Sequence, residues 1–589
     1  MTNSSLPSEG STSSKKTTRA FDYLQAIRRS FSYSQVLLYY LFIATVAVST
    51  VGLLQIWNKS LMVLVPMEGG QLTEGVIGTP RFVNPVLAVS DADRDLTTLF
   101  YSGLLRVSKE GDLIPDLARS YTVSEDGLVY TFTLKPEAVF HDGHPVTSAD
   151  VRYTIERTQD PVIKSPRRAS WDGVTIATPD PLTVVFRLKQ PYAAFMDNAT
   201  IGILPRHLWE KVSSELFAFH EANLLAVGSG PYRLARVRKD SNGTPLSYDL
   251  QAFAHFTLGK PRVSTLTLAF YQNEDDLVRA FLRKDVDAAA ALSPQLVEHL
   301  RRPDVALREA SLPRVFALFL NQNQNKIFSQ PEVRHALDLA LDKEALIARV
   351  LNGYGTPLQG PLPPGSLGFS ASLATTTLRS ADRLLQAQAI LQKAGWKLND
   401  ASRVMEYKTG AETRQLRFTI TTVNTDELTR AAEYVAAVWR QIGAEVTVAT
   451  YELGDFNQNS IRTRKYESLL FGEIVGRDPD LFSFWHSSQR NDPGLNIALY
   501  TNVQMDALLE KMRAEHELTE RLKLAQTFNR TLMQEVPAIF LYSPSFLYAL
   551  PKRLQGTALA ALASPTERFL HVHEWYLEEE LVWPFFKTN

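Results

Sequence analysis

Residues Ala118–Arg157 read ARSYTVSEDGLVYTFTLKPEAVFHDGHPVTSADVRYTIER and carry more structural instruction than any other stretch of this length in the chain. Glu125-Asp126-Gly127 is turn chemistry, and Val129 to Leu134 is β-branched, aromatic and aliphatic, so a hairpin feeds a strand. Lys135-Pro136 ends that strand, and Phe140 to Pro145 loops around Asp142-Gly143. Thr147-Ser148-Ala149-Asp150 has capping-box spacing, which predicts a helix with Val151, Thr154 and Ile155 on its buried face, stopped by Asp160-Pro161. The stretch therefore predicts strand, ordered loop and capped helix. His141 and His144 flank Asp142, but no further ligand stands at a recognisable metal-binding spacing, and the loop reads as structural.

Working outward, the chain has 589 residues, too many for one compact core, and its 45% hydrophobic content suffices for two or more folded domains. Lys plus Arg (62) nearly cancels Asp plus Glu (63), so no whole-chain electrostatic argument supports nucleic-acid binding. There is no cysteine, which excludes disulfides, thiolate metal sites, a Cys nucleophile and a lipid-modified N-terminal Cys.

Residues 1–35 form a Ser/Thr-rich and then basic tail. No charged residue occurs between Arg29 and Lys59, and Val36 to Trp57 is long enough for the roughly 20 residues that cross a bilayer. A cleaved signal peptide has a shorter apolar core, so a retained transmembrane anchor is expected. Lys15, Lys16, Arg19, Arg28 and Arg29 precede it against Asp22 alone, which puts the N-terminus in the cytoplasm and the rest of the chain outside.

Beyond the anchor, Gly78 to Pro85 specifies a backbone bend, Leu96 to Leu105 a helix, and Val174–Ile176 and Thr183–Leu188 strands. Gly228-Ser229-Gly230-Pro231-Tyr232 lacks the third Gly and the Lys of a phosphate loop and reads as a tight turn. His220-Glu221 has Leu224 where a zinc protease needs its second His. Phe316–Leu320 is an apolar strand, and the stripe Val333, Ala336, Leu337, Ala340, Leu341, Val350 is a helix. Leu416, Phe418 and Ile420, then Leu428 to Ile442, then Glu445 to Tyr451 make a βαβ crossover closed by Gly443. Leu469–Phe471 is a further strand, and the loop after it, Gly476-Arg477-Asp478-Pro479-Asp480, lies where ligands bind in α/β folds. Met505–Met512 and Arg521–Met533 are helical and Ile539–Tyr542 is a strand. Phe569, Val572, Trp575 and Tyr576 are too apolar for a solvated tail.

Taken together, Tyr130 to Lys135, Phe140 to Gly143, Thr147 to Val151, Asn84-Pro85, Gly228 to Tyr232, Asn321, Val333 to Ala336, Leu341 to Lys343, Gly355 to Pro364, Asp478 to Asp480, Asn496 and Glu574 to Tyr576 follow one order along the chain. That ordered set resembles the extracytoplasmic solute-binding proteins of the peptide/nickel class (family 5) that serve ABC importers. The resemblance implies an α/β, two-lobed periplasmic-binding-protein-like fold (class II) with an extra subdomain. One lobe would span 66–310 (outer subdomain about 100–220) completed by 549–589, and the other 311–548. It implies a monomeric receptor, without cofactor, metal or catalytic residues, that closes on a small solute, foremost a short peptide, and presents it to ABC permease transmembrane subunits. A non-peptide solute receptor or a ligand-sensing surface protein is the alternative. An anchored hydrolase lacks both a nucleophile with its base and a metal constellation. Tyr101, Gly230, Tyr232, Glu473, Asp478, Trp485 and Asn496 are the expected cleft residues. Peptide receptors of the class hold the ligand's amine with an Asp three residues before Asp-Pro-Asp; here that position is Val475, which cannot pair with an ammonium.

Overall fold

The computed structural model describes residues 32–192, 194–369, 378–410, 412–477, 480–557, 559 and 562–586. The basic residues that set the expected orientation, and Asp478, lie outside them. The chain divides into two compact units, residues 1–67 with 579–589 and residues 68–578.

In the first unit, a helix runs over Tyr33–Ser60, a few residues beyond the expected span at each end, with none of it buried. Among the described residues it is the one helix long and apolar enough to cross a membrane. Thr45 and Thr50 donate back to Leu41 O and Val46 O at 2.8 Å each, which satisfies their hydroxyls within the apolar helix. A short strand, Val63–Pro66, then pairs antiparallel with Glu579–Val582.

In the second unit, Ala118–Val123 and Val129–Leu134 form the expected hairpin, in a four-stranded antiparallel sheet with Thr183–Arg187 and Thr175–Asp180. Gly127 sits at φ 64°, the left-handed turn conformation that favours glycine. Thr147 and Asp150 make the reciprocal capping box of the helix Ser148–Gln159, which buries Val151, Thr154 and Ile155 against Phe132, Phe186 and Trp171 in a core of their own.

A larger sheet organises the rest. From one edge its strands are Glu445–Tyr451, Arg417–Val423, Ser468–Ile474, Arg314–Leu320, Ala538–Pro551, Ala288–Ala290, Gln71–Ile77, Thr265–Tyr271, Pro245–Ala252 and Tyr232–Lys239. The strand Ala538–Pro551 belongs to both halves: Ala538 to Tyr542 pairs with Arg314–Leu320, and Ser545 to Pro551 with Val305–Ser311. One core gathers Val315 through Tyr542, and another joins Leu72 through Leu312 to Phe546 through Trp575. The C-terminal aromatics Phe569 and Trp575 are buried in the latter core.

The βαβ crossover is present as Arg417–Val423, Asp426–Gln441 and Glu445–Tyr451, with the strands parallel in register Phe418↔Val446. Its helix buries Leu428, Val435 and Trp439, whose indole N–H donates to Leu337 O at 2.8 Å. Burying an aromatic of that size stabilises the fold by roughly 3 kcal/mol.

Three expectations are corrected. The helix placed at Leu96–Leu105 is Asp91–Phe100, because Ser90 and Asp93 form a capping box upstream and Tyr101 turns extended toward the strand Leu105–Val107. The stripe Val333–Val350 is two helices, Pro331–Ala340 and Lys343–Val350: Leu341 is extended, and the Asp342 carboxylate accepts from Ala345 N–H to start the second. The strand placed at Ile539–Tyr542 runs on to Pro551, through a Ser543-Pro544-Ser545 segment whose composition suggests a turn.

Candidate functional site: the cleft between the lobes

The bend at Gly78 to Pro85 and the turn at Gly228 to Gly230 shape the first-lobe wall. Buried Asp93 accepts from Arg81 N–H (2.7 Å) and Phe82 N–H (2.8 Å), and Asn84 accepts from Val86 N–H (2.9 Å) while donating to Asn223 (3.0 Å). Gly230 N–H caps the preceding helix by donating to Phe100 O at 2.8 Å. A Cβ at Gly228 would stand 2.0 Å from Phe100 O and one at Gly230 2.6 Å from Leu99 O, so only glycine lets the turn approach the helix end this closely.

The second-lobe wall ends in the strand Ser468–Ile474, where Glu473 stands opposite Val315. Val475 prolongs the ladder by donating to Pro313 O at 2.9 Å, and Gly476, at φ 82°, turns the chain away. Arg477 then reaches Glu567 on the first-lobe side at 2.7 Å, both side chains being less than a fifth exposed. A cavity of about 350 Å³ lies beside this pair, lined by Arg94, Thr97, Tyr101, Arg167, Thr566 and Glu567 among others. Deeper in that wall, Arg106 is neutralised by Asp116 at 2.8 Å and also donates to Leu570 O at 2.7 Å. Arg94 has only a loose pair with Asp91 at 3.7 Å, and Arg167 has no ion-pair partner among the described residues. The wall therefore presents excess positive charge to the cavity.

A further cavity, of about 530 Å³, lies between the outer subdomain and the second lobe, lined by Lys189, Tyr192, Asp480, Ser483 and Arg513. The Arg513 guanidinium packs over Tyr192 at 5.5 Å and Phe482 at 4.6 Å and pairs with Asp480 at 3.0 Å. Arg477 thus stands beside the first cavity through Glu567, and Asp480 lines the second.

The expected cleft residues have different fates. Tyr101 lines the first cavity with its flank, while its hydroxyl turns inward to Val83 O at 3.3 Å, and burial pushes its pKa up. Glu473 is buried near the crossing between lobes, with no hydrogen bond or ion pair among the described residues, and burial raises its carboxyl well above the usual range. Gly230 is a backbone-approach glycine. Tyr232 is a core residue, fully buried with its hydroxyl on Val263 O at 2.8 Å. Trp485 is also core, 1% exposed and packed among Phe319, Tyr500, Phe528 and Phe540. Asn496 spends its amide on the carbonyls of Trp485, His486 and Tyr500 and accepts from Tyr500 N–H, so it staples a loop. Val475 is itself 6% exposed and packed in the second-lobe core.

Sequence reading missed Arg94, Arg167, Arg477, Tyr192, Arg513 and Glu567 as cleft groups. Glu567 was masked by Ser564-Pro565-Thr566-Glu567, which reads as an ordinary helix start. Only Arg477 carried a signal, lying inside the strand-end loop.

A two-lobed α/β molecule with charged groups facing across a cleft is the build of a solute receptor. The chain belongs to the bacterial extracellular solute-binding proteins, family 5, whose model matches residues 112–494. The oligopeptide-binding protein AppA of Bacillus subtilis is 24% identical over 523 residues, covering 87% of this chain and 92% of that protein. Protein XP55 of Streptomyces lividans is 29% identical over 502 residues, covering 82% and 85%. The solved structure of Bacillus subtilis AppA with a nonapeptide superposes with a TM-score of 0.66 at 22% identity, covering 87% of this chain and all of that one. The family is a receptor class rather than an enzymatic one, and it is extracytoplasmic.

Proposed function

We propose that this chain is a membrane-anchored receptor, monomeric, that binds a short peptide between its lobes and delivers it to an ABC permease. The observation that carries the reading is the Arg477–Glu567 pair, which spans the cleft beside a cavity bearing excess positive charge. A solute stabilises the closed form only through contacts with both walls, and this cleft offers groups on each. The division into 66–310 with 549–589 and 311–548 is part of the reading. It is supported by the two cores, which meet near Leu312–Val315 and Tyr542–Phe546. The oligopeptide-binding relative supports the peptide, and the unburied apolar helix supports the anchor.

In this reading Arg94 and Arg167 take the peptide carboxylate, and Glu473, protonated in the empty cleft, gives up its proton to take the amine, in place of the carboxylate missing at Val475. The test is calorimetric titration of the full-length chain in detergent with a defined tripeptide and its N-acetylated and C-amidated forms. We expect Glu473→Gln to weaken the free-amine peptide about tenfold and the acetylated one little, and Arg167→Ala to do the same for the free carboxylate against the amide. No binding by any peptide would overturn the peptide and favour the second reading, a solute without an amine, to which Val475 already points.

A further inference from the structure

The geometry points to a transition-metal site on the outer subdomain, built from Asp142, His144 and His207, that takes Zn²⁺ or a similar borderline ion. The loop presenting the first two is a tight hairpin. Phe140, fully buried, anchors it; Phe140 N–H donates to His144 O at 2.8 Å and Gly143 N–H to Phe140 O at 2.9 Å. Gly143 at φ 89° lets the chain reverse there. His141 turns inward, its Nδ1 accepting from Gly228 N–H at 3.2 Å and its Nε2 lying 3.1 Å from Gly230 O, so it is consumed by the fold. Asp142 and His144 turn outward.

The third donor comes from far along the chain. His207 sits on the turn Arg206–Trp209, which is pinned by Arg206 N–H donating to the Asp150 carboxylate at 2.8 Å and by buried Trp209. This places His207 Nε2 2.7 Å from Asp142 Oδ2, while His144 Nδ1 stands 3.2 Å from Asp142 Oδ1. The three ligand atoms lie within 4.8 Å of one another. Ligands about 2.1 Å from a tetrahedral centre stand about 3.4 Å apart, so the His207–Asp142 pair opens by about 0.7 Å to admit an ion, a shift that exposed side chains can make.

A simple loop clasp would need only the Asp142–His207 bond. The second imidazole is the surplus: His144 is 59% exposed, stacks on His207 with ring centres 4.0 Å apart, and aims its Nδ1 at the same carboxylate. Two imidazoles and one carboxylate suit Zn²⁺, Ni²⁺ or Cu²⁺ rather than the all-oxygen preference of Mg²⁺ or Ca²⁺. On binding, the protons that His207 Nε2 and His144 Nδ1 hold toward Asp142 move to the other nitrogen of each ring or to water, and water completes the coordination on the exposed side. None of the three residues lines either cleft cavity, so the site stands or falls independently of solute binding.

The test titrates untagged, full-length chain in detergent with ZnCl₂ by calorimetry, alongside His144→Gln, His207→Gln and the double variant, with thermal melts of each. We expect one Zn²⁺ per chain for the native protein, binding at least about tenfold weaker in each single variant, none in the double variant, and a zinc-dependent rise in Tm confined to the native chain. His144→Gln, at an exposed position, should keep the native zinc-free Tm, which separates lost ligation from lost folding. Equal zinc uptake by native and double variant, or no uptake by the native chain, would overturn the site.

Discussion

Glu567 and Arg568 are neighbours, yet their ion pairs do opposite work. Arg568 points into the first lobe, where its guanidinium meets Glu74 at 2.7 Å and Asp95 at 2.6 Å, all three at most 4% exposed, with Tyr548 donating to Glu74 as well. Two carboxylates share one guanidinium in that knot, burial pushes the Glu74 carboxyl up, and Arg568 is held charged, its pKa raised by the two carboxylates against the cost of burial. Glu567 points the other way and meets an arginine from the opposite lobe. The first pair ties the C-terminal return segment into a core; the second joins residues that the proposed division assigns to different lobes. A salt bridge inside one rigid body reports on folding, and one across a cleft reports on closure.

The largest effect that could break this contrast is at Arg568. Arg568→Met strands two buried carboxylates and should cost about 3–5 kcal/mol, seen as an early thermal transition of the full chain. An unchanged melt would show that the knot is not structural.

Next is acid. His141 is held near a pKa of about 4, since burial outweighs its bond to Gly230 and the charge of Asp142. The unfolded imidazole takes a proton near 6.5, whereas the folded one resists until about 4, so stability is full above that window and falls as pH drops through it, by up to about 3 kcal/mol. Comparing native and His141→Gln unfolding between pH 7 and 4 measures it, and parallel curves would refute it.

Glu473 has the opposite sign. Its folded carboxyl keeps the proton that the unfolded one loses above the usual carboxylate range, so the native chain loses stability as pH rises through that range until the raised pKa is reached. Glu473→Gln should remove that slope and be the more stable form at neutral pH, as read by denaturant melts at several pH values. The smallest effect is Arg477→Ala. It should leave the solute-free melt unchanged and weaken solute binding about fivefold, worth about 1 kcal/mol. A melt shifted as far as that of Arg568→Met would erase the contrast.

Much of the fold was legible because its signals are local. The hairpin turn at Asp126-Gly127, the box at Thr147 and Asp150, and the apolar face of Asp426–Gln441 each act within a few residues. The helix break at Leu341 was not legible, because apolar spacing continues through it and only the Asp342 cap interrupts. The cleft was harder still. Tyr232, Trp485 and Asn496 are residue types that serve cores and binding sites alike, and only burial separates the uses. Arg167 and Glu567 come from segments about four hundred positions apart and meet only in the folded chain. His207 joins Asp142 in the same way, across a separation no spacing rule encodes.

The strand Ala538–Pro551 has a mechanical meaning as well. It is hydrogen-bonded into both half-sheets, so the lobes cannot part along it without losing ladder bonds that hold each core in register. Between the two halves, Ser543 and Pro544 pair with Thr356 and Gly355 of the short strand Gly355–Pro357, although Pro544 brings no N–H to the ladder. A change in the angle between the half-sheets would be taken up as twist of this shared ribbon, which couples the two walls through one continuous backbone.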